Sequence, residues 1–149
     1  MIKNYLCVLL FLLPILTIGC KNEEKEAASK LHTEIMAEHN KAMPKMAELN
    51  RLKRQLKIYK DVVPDENVAL KDSIINAILV LAKSEDVMND WMAHYRYPNP
   101  NVPDNGIVKY LTGQKDSIKQ VGDEMYMSLA IGNGLMNHAP DSLKTVNGQ

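Results

Sequence analysis

The chain is short of cysteine, with only Cys7 and Cys20 among its 149 residues. Both lie near the N-terminus, so no disulfide bond can join distant parts of a folded domain. The Cys-x-x-Cys-His sequence that attaches haem covalently is also absent. Stability must therefore come from an apolar core or from a partner protein.

An excess of one charge and the common catalytic motifs are lacking as well. Basic and acidic residues number 18 each, and this balance gives no reason to expect binding to nucleic acid. The sequence has no glycine-rich phosphate-binding loop and no nucleophile motif. It also lacks the Glu-x-x-His pairs of ferritin-like di-iron bundles. We therefore predict that the protein is not an enzyme.

The longest apolar run lies near the N-terminus, where it follows Lys3 and extends over residues 5–15. It is too short to span a bilayer and is typical of a signal peptide, which we place at residues 1–19. The alternative is an uncleaved anchor helix. The next most apolar stretch, residues 74–82, is again too short for a membrane helix.

The segment Leu16-Thr17-Ile18-Gly19-Cys20 resembles a bacterial lipobox, with Thr17 where that motif usually has leucine. The resemblance implies that Cys20 becomes the first mature residue and carries diacylglycerol and a further acyl chain. Each buried methylene contributes about 0.8 kcal/mol, so several chains together would hold the protein at a membrane. Residues 20–30 then form the lipidated tether and the start of the first helix.

The expected location is the cell envelope, with the lipid anchor in the outer membrane. Residues 21–24 read Lys-Asn-Glu-Glu and resemble the surface-export signal of Bacteroidetes lipoproteins, interrupted by Asn22. The alternative is that they form only a solvated tether. The choice between the periplasmic and the surface leaflet stays open.

A long first helix is predicted from about Glu23 to Lys60, because apolar residues recur on one face and only Pro44 opposes a helix. The recurring residues are Leu31, Ile35, Met43, Met46, Leu49, Leu52 and Leu56. Proline removes one backbone hydrogen bond, so we expect a kink between residues 40 and 44. The alternative is that Pro44 opens a separate helix.

Two further helices follow, each with apolar residues at alternating steps of three and four. The second is expected to be capped by Asp65 and carries Leu70, Ile74, Ala77, Leu81, Ser84, Met88, Trp91 and Tyr95. The third, capped by Asp104 or Asn105, carries Ile107, Leu111, Gln114, Ile118, Val121, Met125 and Ser128. Gly132 and Gly134 are expected to end it, which leaves residues 133–149 as a flexible tail.

These elements predict an all-α fold, an antiparallel three-helix bundle over residues 31–132 with a kinked first helix. A long coiled coil that dimerises is the alternative architecture. In the bundle, antiparallel counting from the turn near residue 61 places position 32 opposite 94 and position 39 opposite about 87.

A stripe of histidine and methionine lies on one face of the first helix, at His32, Met36, His39 and Met43. Met88 and Met92 of the second helix are expected to approach it. Imidazole and thioether ligands without thiolate suit copper better than zinc or magnesium. This predicts a copper site, and the alternative is ordinary core packing, for which methionine is well suited.

Two sets of charged side chains each have a functional and a structural interpretation. Asp86, Asp90 and His94 share a helix face and could form an acid-base pair, although solvated surface charges are the simpler reading. A basic run extends from Arg51 to Lys60, near a predicted helix C-terminus, where it complements the macrodipole. Its functional reading is attraction to an anionic partner.

Three segments together resemble a family of short, uncharacterised Bacteroidetes lipoproteins that are often labelled viral A-type inclusion protein. They read HNKAMPKM at residues 39–46, LNRLK at 49–53 and DVMNDWM at 86–92. The label implies no viral function, and the family supplies no established activity and hence no catalytic residues; no cofactor is established beyond the copper that the stripe predicts. With this resemblance, the sequence predicts a lipid-anchored, non-enzymatic helical module that contacts a protein partner in the envelope.

Overall fold

A computed structural model describes residues 16–99 and 106–144, with side chains from residue 23 onward. Within these residues every regular element is a helix. The elements are α1 (Leu16–Ala42), α2 (Pro44–Val62), α3 (Val68–His94), α4 (Ile107–Met136) and α5 (Asp141–Lys144). The predicted all-α bundle is therefore confirmed.

The first rod of the bundle consists of α1 and α2, which meet at Met43. Pro44 is the first residue of α2, where its missing N–H costs nothing within that helix. Met43 keeps a helical backbone conformation, and its N–H donates to the carbonyl of His39 at 2.9 Å. The interruption therefore falls in the predicted interval, and Pro44 opens a separate helix, as the alternative interpretation expected.

The rods run up, down and up, and polar contacts set their register. Asn50 of α2 donates to the carboxylate of Glu85 on α3 at 2.9 Å, and Lys53 forms an ion pair with the same carboxylate. Lys115 of α4 pairs with Glu34 of α1 at 2.7 Å. Elsewhere along the rods His39 lies beside Trp91, and Leu52 lies beside Gly132. The second rod is therefore antiparallel to the first, and α4 is parallel to the first.

Both acidic partners in these pairs have pKa values below the ordinary range for glutamate. For Glu85 the causes are hydrogen bonds from Lys53 and then from Asn50, and for Glu34 the main cause is the hydrogen bond from Lys115. A lowered carboxyl pKa contributes stability above the ordinary glutamate range. This stability is lost as the pH falls through the lowered values.

The core is formed by the predicted seams. On α3, six of the eight expected positions are buried, namely Ile74, Ala77, Leu81, Ser84, Met88 and Trp91. On α4, six of the seven are buried, namely Ile107, Leu111, Ile118, Val121, Met125 and Ser128. The seams face one another and the buried leucines of α2, so apolar burial holds the three rods together.

The start of α3 differs from the prediction. Asn67, and not Asp65, caps the helix, because its side chain accepts a hydrogen bond from the N–H of Leu70. Asp65 forms an ion pair with Lys71, and the Lys71 ammonium holds the pKa of Asp65 below its usual value. Both residue types favour helix caps, so spacing from the first helical turn decides between them. The predicted caps Asp104 and Asn105 lie outside the described residues.

The end of α4 also differs, since the helix continues through Gly132 and Gly134 to Met136. A Cβ at position 132 would lie 2.6 Å from Cδ2 of Leu52 and 3.2 Å from Cδ1 of Leu81. Gly132 therefore serves close packing between helices. Glycine inside a helix costs only about 1 kcal/mol, which tertiary packing outweighs here.

The segment expected as a flexible tail is folded from residue 133 to residue 144. Met136 and Ala139 are buried, and Leu143 of α5 packs against the core. The hydroxyl of Tyr59 donates to the carbonyl of His138 at 3.1 Å. The bundle thus extends beyond the predicted boundary at residue 132, because these few apolar residues cover the end of α2.

Among the described residues, no helix combines the length and apolar character needed to cross a membrane.

Substituting Gly132 by alanine tests the close contact in the core. We expect Gly132→Ala to lower the free energy of unfolding by about 1 kcal/mol or more, because overpacking of buried Leu52 outweighs the gain in helix propensity. The matched control is Gly134→Ala, whose new Cβ meets no atom within 4 Å. It should stabilise the protein by about 0.5–1 kcal/mol. Urea unfolding followed by circular dichroism measures both, and equal changes would contradict the prediction.

Candidate functional site

Five rings form a continuous series between α1 and the end of α3. The imidazole of His39 lies over the indole of Trp91, with ring centroids 5.7 Å apart. Trp91 stacks on Tyr95 at 4.9 Å with an interplanar angle of 14°. The ring of His32 follows, 6.1 Å from Tyr95 and 4.2 Å from Tyr97. We call these five side chains the ring stack.

Helix geometry explains why these rings align. His32 and His39 are two turns apart on α1, and Trp91 and Tyr95 are one turn apart on α3, so each pair shares a helix face. Tyr97 follows the end of α3. The backbone of α1 packs mainly against α4. Long aromatic side chains therefore bridge the remaining space between α1 and α3.

The predicted register is close at one end of the ring stack and wrong at the other. His32 meets Tyr95, one residue from the predicted position 94. His39 meets Trp91 rather than position 87. The predicted register assumes that the first rod is one regular helix paired with α3 along its whole length. Instead, the rod is divided at Met43, and α1 packs mainly against α4.

A hydrogen bond joins the ring stack at its centre. Nδ1 of His32 lies 2.7 Å from the hydroxyl of Tyr95. Burial raises the pKa of the Tyr95 phenol, and Tyr110 and Tyr97 raise it further. The hydroxyl thus keeps its proton through a wider pH range. It donates to Nδ1 when the imidazole proton is on Nε2.

Trp91 is held by stacking and not by a hydrogen bond of its indole. Its side chain is 8% exposed, and its buried Nε1 has no hydrogen-bond partner among the described residues. A buried indole N–H usually has an acceptor. Burial in the apolar core and contacts with the rings of His39 and Tyr95 therefore keep Trp91 in place.

The structure does not gather the predicted copper ligands at one point. The indole of Trp91 and the phenol of Tyr95 lie between His32 and His39 in the ring stack. Nδ1 of His39 lies 3.2 Å from Oδ1 of Asn40. The imidazole of His39 thus contacts Asn40 and Trp91, that of His32 contacts Tyr95, and aromatic rings separate the two.

The methionines of the predicted site lie at different depths. Met88 has no exposed surface and fills the core. Met43 and Met92 are half-buried and pack against the core, and Met36 is half-buried. Within the described parts of the chain, no group of three or more His, Cys, Asp or Glu side chains could hold a metal ion.

The Asp86, Asp90 and His94 group lies on the surface. Nδ1 of His94 is 3.2 Å from Oδ1 of Asp90, and these side chains are 76% and 74% exposed. Nδ1 also lies 2.8 Å from the Asp90 carbonyl oxygen. Such exposure favours the interpretation as solvated helix charges, since water screens the pair.

Cys20 lies on α1, twelve residues before His32. At about 1.5 Å per residue, this places Cys20 about 18 Å from the ring stack along the helix axis. The ring stack therefore lies in the half of the bundle nearer to the predicted lipid. Lipidation itself remains a prediction.

The helical pattern of the sequence places Trp91 and Tyr95 beside the stripe. It does not predict that Tyr97 joins them or that the two aromatic rings lie between the two imidazoles. Tyr97 lies beyond the last helical residue, in a proline-rich connection. Helical periodicity does not predict the position of a side chain there. A cluster of aromatic residues at 91, 95 and 97 was the available signal.

Comparisons with protein-family models, with curated proteins and with solved structures find no match to this chain.

Replacing Tyr95 by phenylalanine tests the bond at the centre of the ring stack. We expect Tyr95→Phe to lower the free energy of unfolding by about 1 kcal/mol near neutral pH, because the ring remains but its hydrogen bond to His32 is lost. The raised pKa of Tyr95 contributes stability that is fully present below about pH 10 and lost as the pH rises through the raised value. The variant should therefore lose less stability than the parent between neutral pH and about pH 11.

Urea unfolding followed by the fluorescence of Trp91, the only tryptophan, measures both effects. The control is Tyr97→Phe, which keeps a ring tilted against that of His32. Indistinguishable behaviour of the two variants at both pH values would show that the Tyr95 hydroxyl has no special role.

Proposed function

We propose that the protein is a lipid-anchored, non-enzymatic helical module of the cell envelope that acts through contact with a protein partner. The observation that supports this is a concentration of exposed aliphatic side chains in the half of the bundle remote from Cys20. These residues are Ile58, Val62, Val68, Ile75, Leu79, Val80, Met127 and Ile131. Exposed apolar surface concentrated in one region of a protein is typical of interaction sites.

Burial values support this contrast between the two halves. Leu79, Val68 and Met127 are 60%, 59% and 61% exposed. Within the described residues, the large exposed hydrophobic side chains nearer to Cys20 are Tyr97 and Tyr110. The ring stack covers that end by aromatic packing, so a partner would find aliphatic surface mainly at the remote end.

Basic charge accompanies the apolar surface. Arg51, Arg54 and Lys57 are exposed on α2, close in sequence to Ile58. Charged residues at the rim of an apolar patch give a contact its orientation and specificity. A partner that binds here would combine apolar side chains with acidic ones.

The proposed anchor gives this surface its direction. Acyl chains on Cys20 would hold the start of α1 at the membrane, in the outer membrane of the proposed envelope location. A bundle that stands away from the bilayer presents its remote half to other envelope proteins. Anchoring also raises the local concentration of any partner in the same membrane.

Capture from detergent-solubilised envelopes tests the proposal. Tagged wild-type chain should retain a partner of defined mass, either another envelope protein or an untagged copy. Leu79→Arg should reduce the amount retained at least about tenfold, since it places charge in exposed apolar surface. Thr112→Arg is the control, because it adds the same charge at an exposed position outside this surface.

Partition into detergent provides the matching test of the anchor. Wild-type chain should enter the detergent-rich phase, whereas Cys20→Ser should remain in the aqueous phase. Retention of the same proteins by both arginine variants, together with identical partition of the Cys20 variant, would contradict the proposal.

A second candidate function is binding of a soft metal ion such as Cu(I) along α1. Met36, His39 and Met43 follow at steps of three and four on one helix face, and all three are only half-buried. Thioether and imidazole groups suit Cu(I). These three residues form a smaller ligand set than the predicted one and avoid the buried Met88.

Competition with a chromogenic Cu(I) chelator tests this candidate. Met36→Leu preserves side-chain volume and should weaken binding by at least about tenfold, because it removes one of three ligands. Met127→Leu is the control, since it removes an exposed methionine from a distant part of α4. Equal affinities of the two variants would exclude a site at Met36.

A further inference from the structure

Two exposed rows of residues have mirrored spacing on α2 and α3. On α2, Arg51, Ile58 and Val62 are separated by seven and then four residues. We call them the α2 stripe. On α3, Ile75, Leu79 and Asp86 are separated by four and then seven, and we call them the α3 stripe. Steps of four and seven keep each row on one helix face.

Both stripes are open to solvent. Ile58 and Val62 are 44% and 56% exposed, and Ile75 and Leu79 are 42% and 60% exposed. Arg51 and Asp86 are exposed as well. Each stripe therefore offers two aliphatic side chains and one charge, and the two charges are opposite in sign.

The register within the bundle places matching residues at the same height. Glu85 lies level with residues 50–53 of α2, as its hydrogen bond to Asn50 and its ion pair with Lys53 show. Asp86 is therefore level with Arg51. The two helices run in opposite directions. Ile58 follows Arg51 by seven residues and Leu79 precedes Asp86 by seven, so Ile58 and Leu79 are also level with each other.

Four further residues along each helix reach Val62 and Ile75, which are level in the same way. An antiparallel contact between an α2 stripe and an α3 stripe would thus oppose Ile58 to Leu79, Val62 to Ile75, and Arg51 to Asp86. Apolar side chains meet apolar side chains, and the basic group meets the acidic one. Such complementarity fixes both the register and the direction of a helix contact.

One molecule cannot make this contact with itself. Within the chain, α2 turns Asn50 and Lys53 toward α3, whereas the stripe residues remain exposed. The α2 stripe can therefore meet an α3 stripe only in another molecule. In that contact, the α2 helices of both molecules are antiparallel to the same α3 helix. The two bundles are therefore parallel, with their N-termini at the same end.

We propose that the α2 stripe of one copy packs against the α3 stripe of a second copy of this chain, which aligns the copies as parallel bundles in a row. The contact is heterologous, so each added copy leaves one stripe of each kind uncovered and the row can extend. This inference rests on the proposed function, whose partner it names. Parallel bundles with their N-termini together also suit anchors in one membrane.

Cross-linking in native envelopes tests the proposed contact. The double variant Ile58→Cys, Leu79→Cys of the full chain is treated with a short bismaleimide. It should give a ladder of dimers, trimers and larger species. Each single variant should give no more cross-linked product than the parent chain. The parent chain measures the background cross-linking through Cys7 and Cys20. Two single variants expressed together should give dimers only.

The matched control pairs Ile58→Cys with Met127→Cys, a similarly exposed position on α4. It should give at least tenfold less product than the test pair. Charge reversal provides an independent check within the double-cysteine chain: Arg51→Glu should reduce the ladder at least tenfold, and adding Asp86→Arg should restore it. All variants change exposed residues, and circular dichroism verifies that each is folded.

Absence of the ladder, an equal ladder from the control pair, or no rescue by the second charge reversal would overturn the inference. A product of Leu79→Cys with a different protein would also overturn it while leaving the proposed function standing. If no product forms and wild-type chain also captures no partner from envelopes, both the inference and the proposed function fail.

Discussion

The fold depends on burial of the apolar seam of α3 between α2 and α4. Ile74, Leu81 and Met88 have no exposed surface along this seam. In proteins most helical stability comes from tertiary packing of an apolar face, and the described residues contain no disulfide bond to support the helices. Removal of apolar surface from water, worth about 25 cal/mol per Å², is therefore the main favourable contribution to folding. Gly132 permits a close approach within this core, beside Leu52 and Leu81.

Seam burial leaves the two halves of the bundle with different surfaces. Nearer to Cys20, α1 packs mainly on α4, and the gap toward α3 is spanned by the imidazole and aromatic rings of the ring stack. Farther away, α2 approaches α3 closely enough for Lys53 and Glu85 to pair. The outer faces there carry aliphatic side chains that the bundle does not cover. The half nearer to Cys20 is thus covered by the ring stack and the remote half carries open apolar rows, and the proposed function rests on this contrast.

Prediction from the sequence succeeded where apolar residues repeat at helical spacing. It failed where a single residue determines a helix end or a contact between rods. The steps of three and four identified all six buried residues of α3 and six of the ten on α4, because burial on one face of a helix requires that period. Gly132 and Asp65 were misread, since glycine and aspartate favour helix ends without requiring them. Tyr97 and the pairing of His39 with Trp91 were missed for a different reason: both depend on the distance and angle between rods.

The sequence alone determined that three apolar seams would bury one another as a helical bundle, and that Pro44 would interrupt the first rod, because backbone hydrogen bonding and helical period are local properties. Only the tertiary structure decided what those seams place side by side. It separated His32 from His39 by two aromatic rings, kept α4 helical through its glycines, and brought residues 133–144 onto the end of α2. These outcomes depend on contacts between residues far apart in the chain, whose energies no local pattern contains.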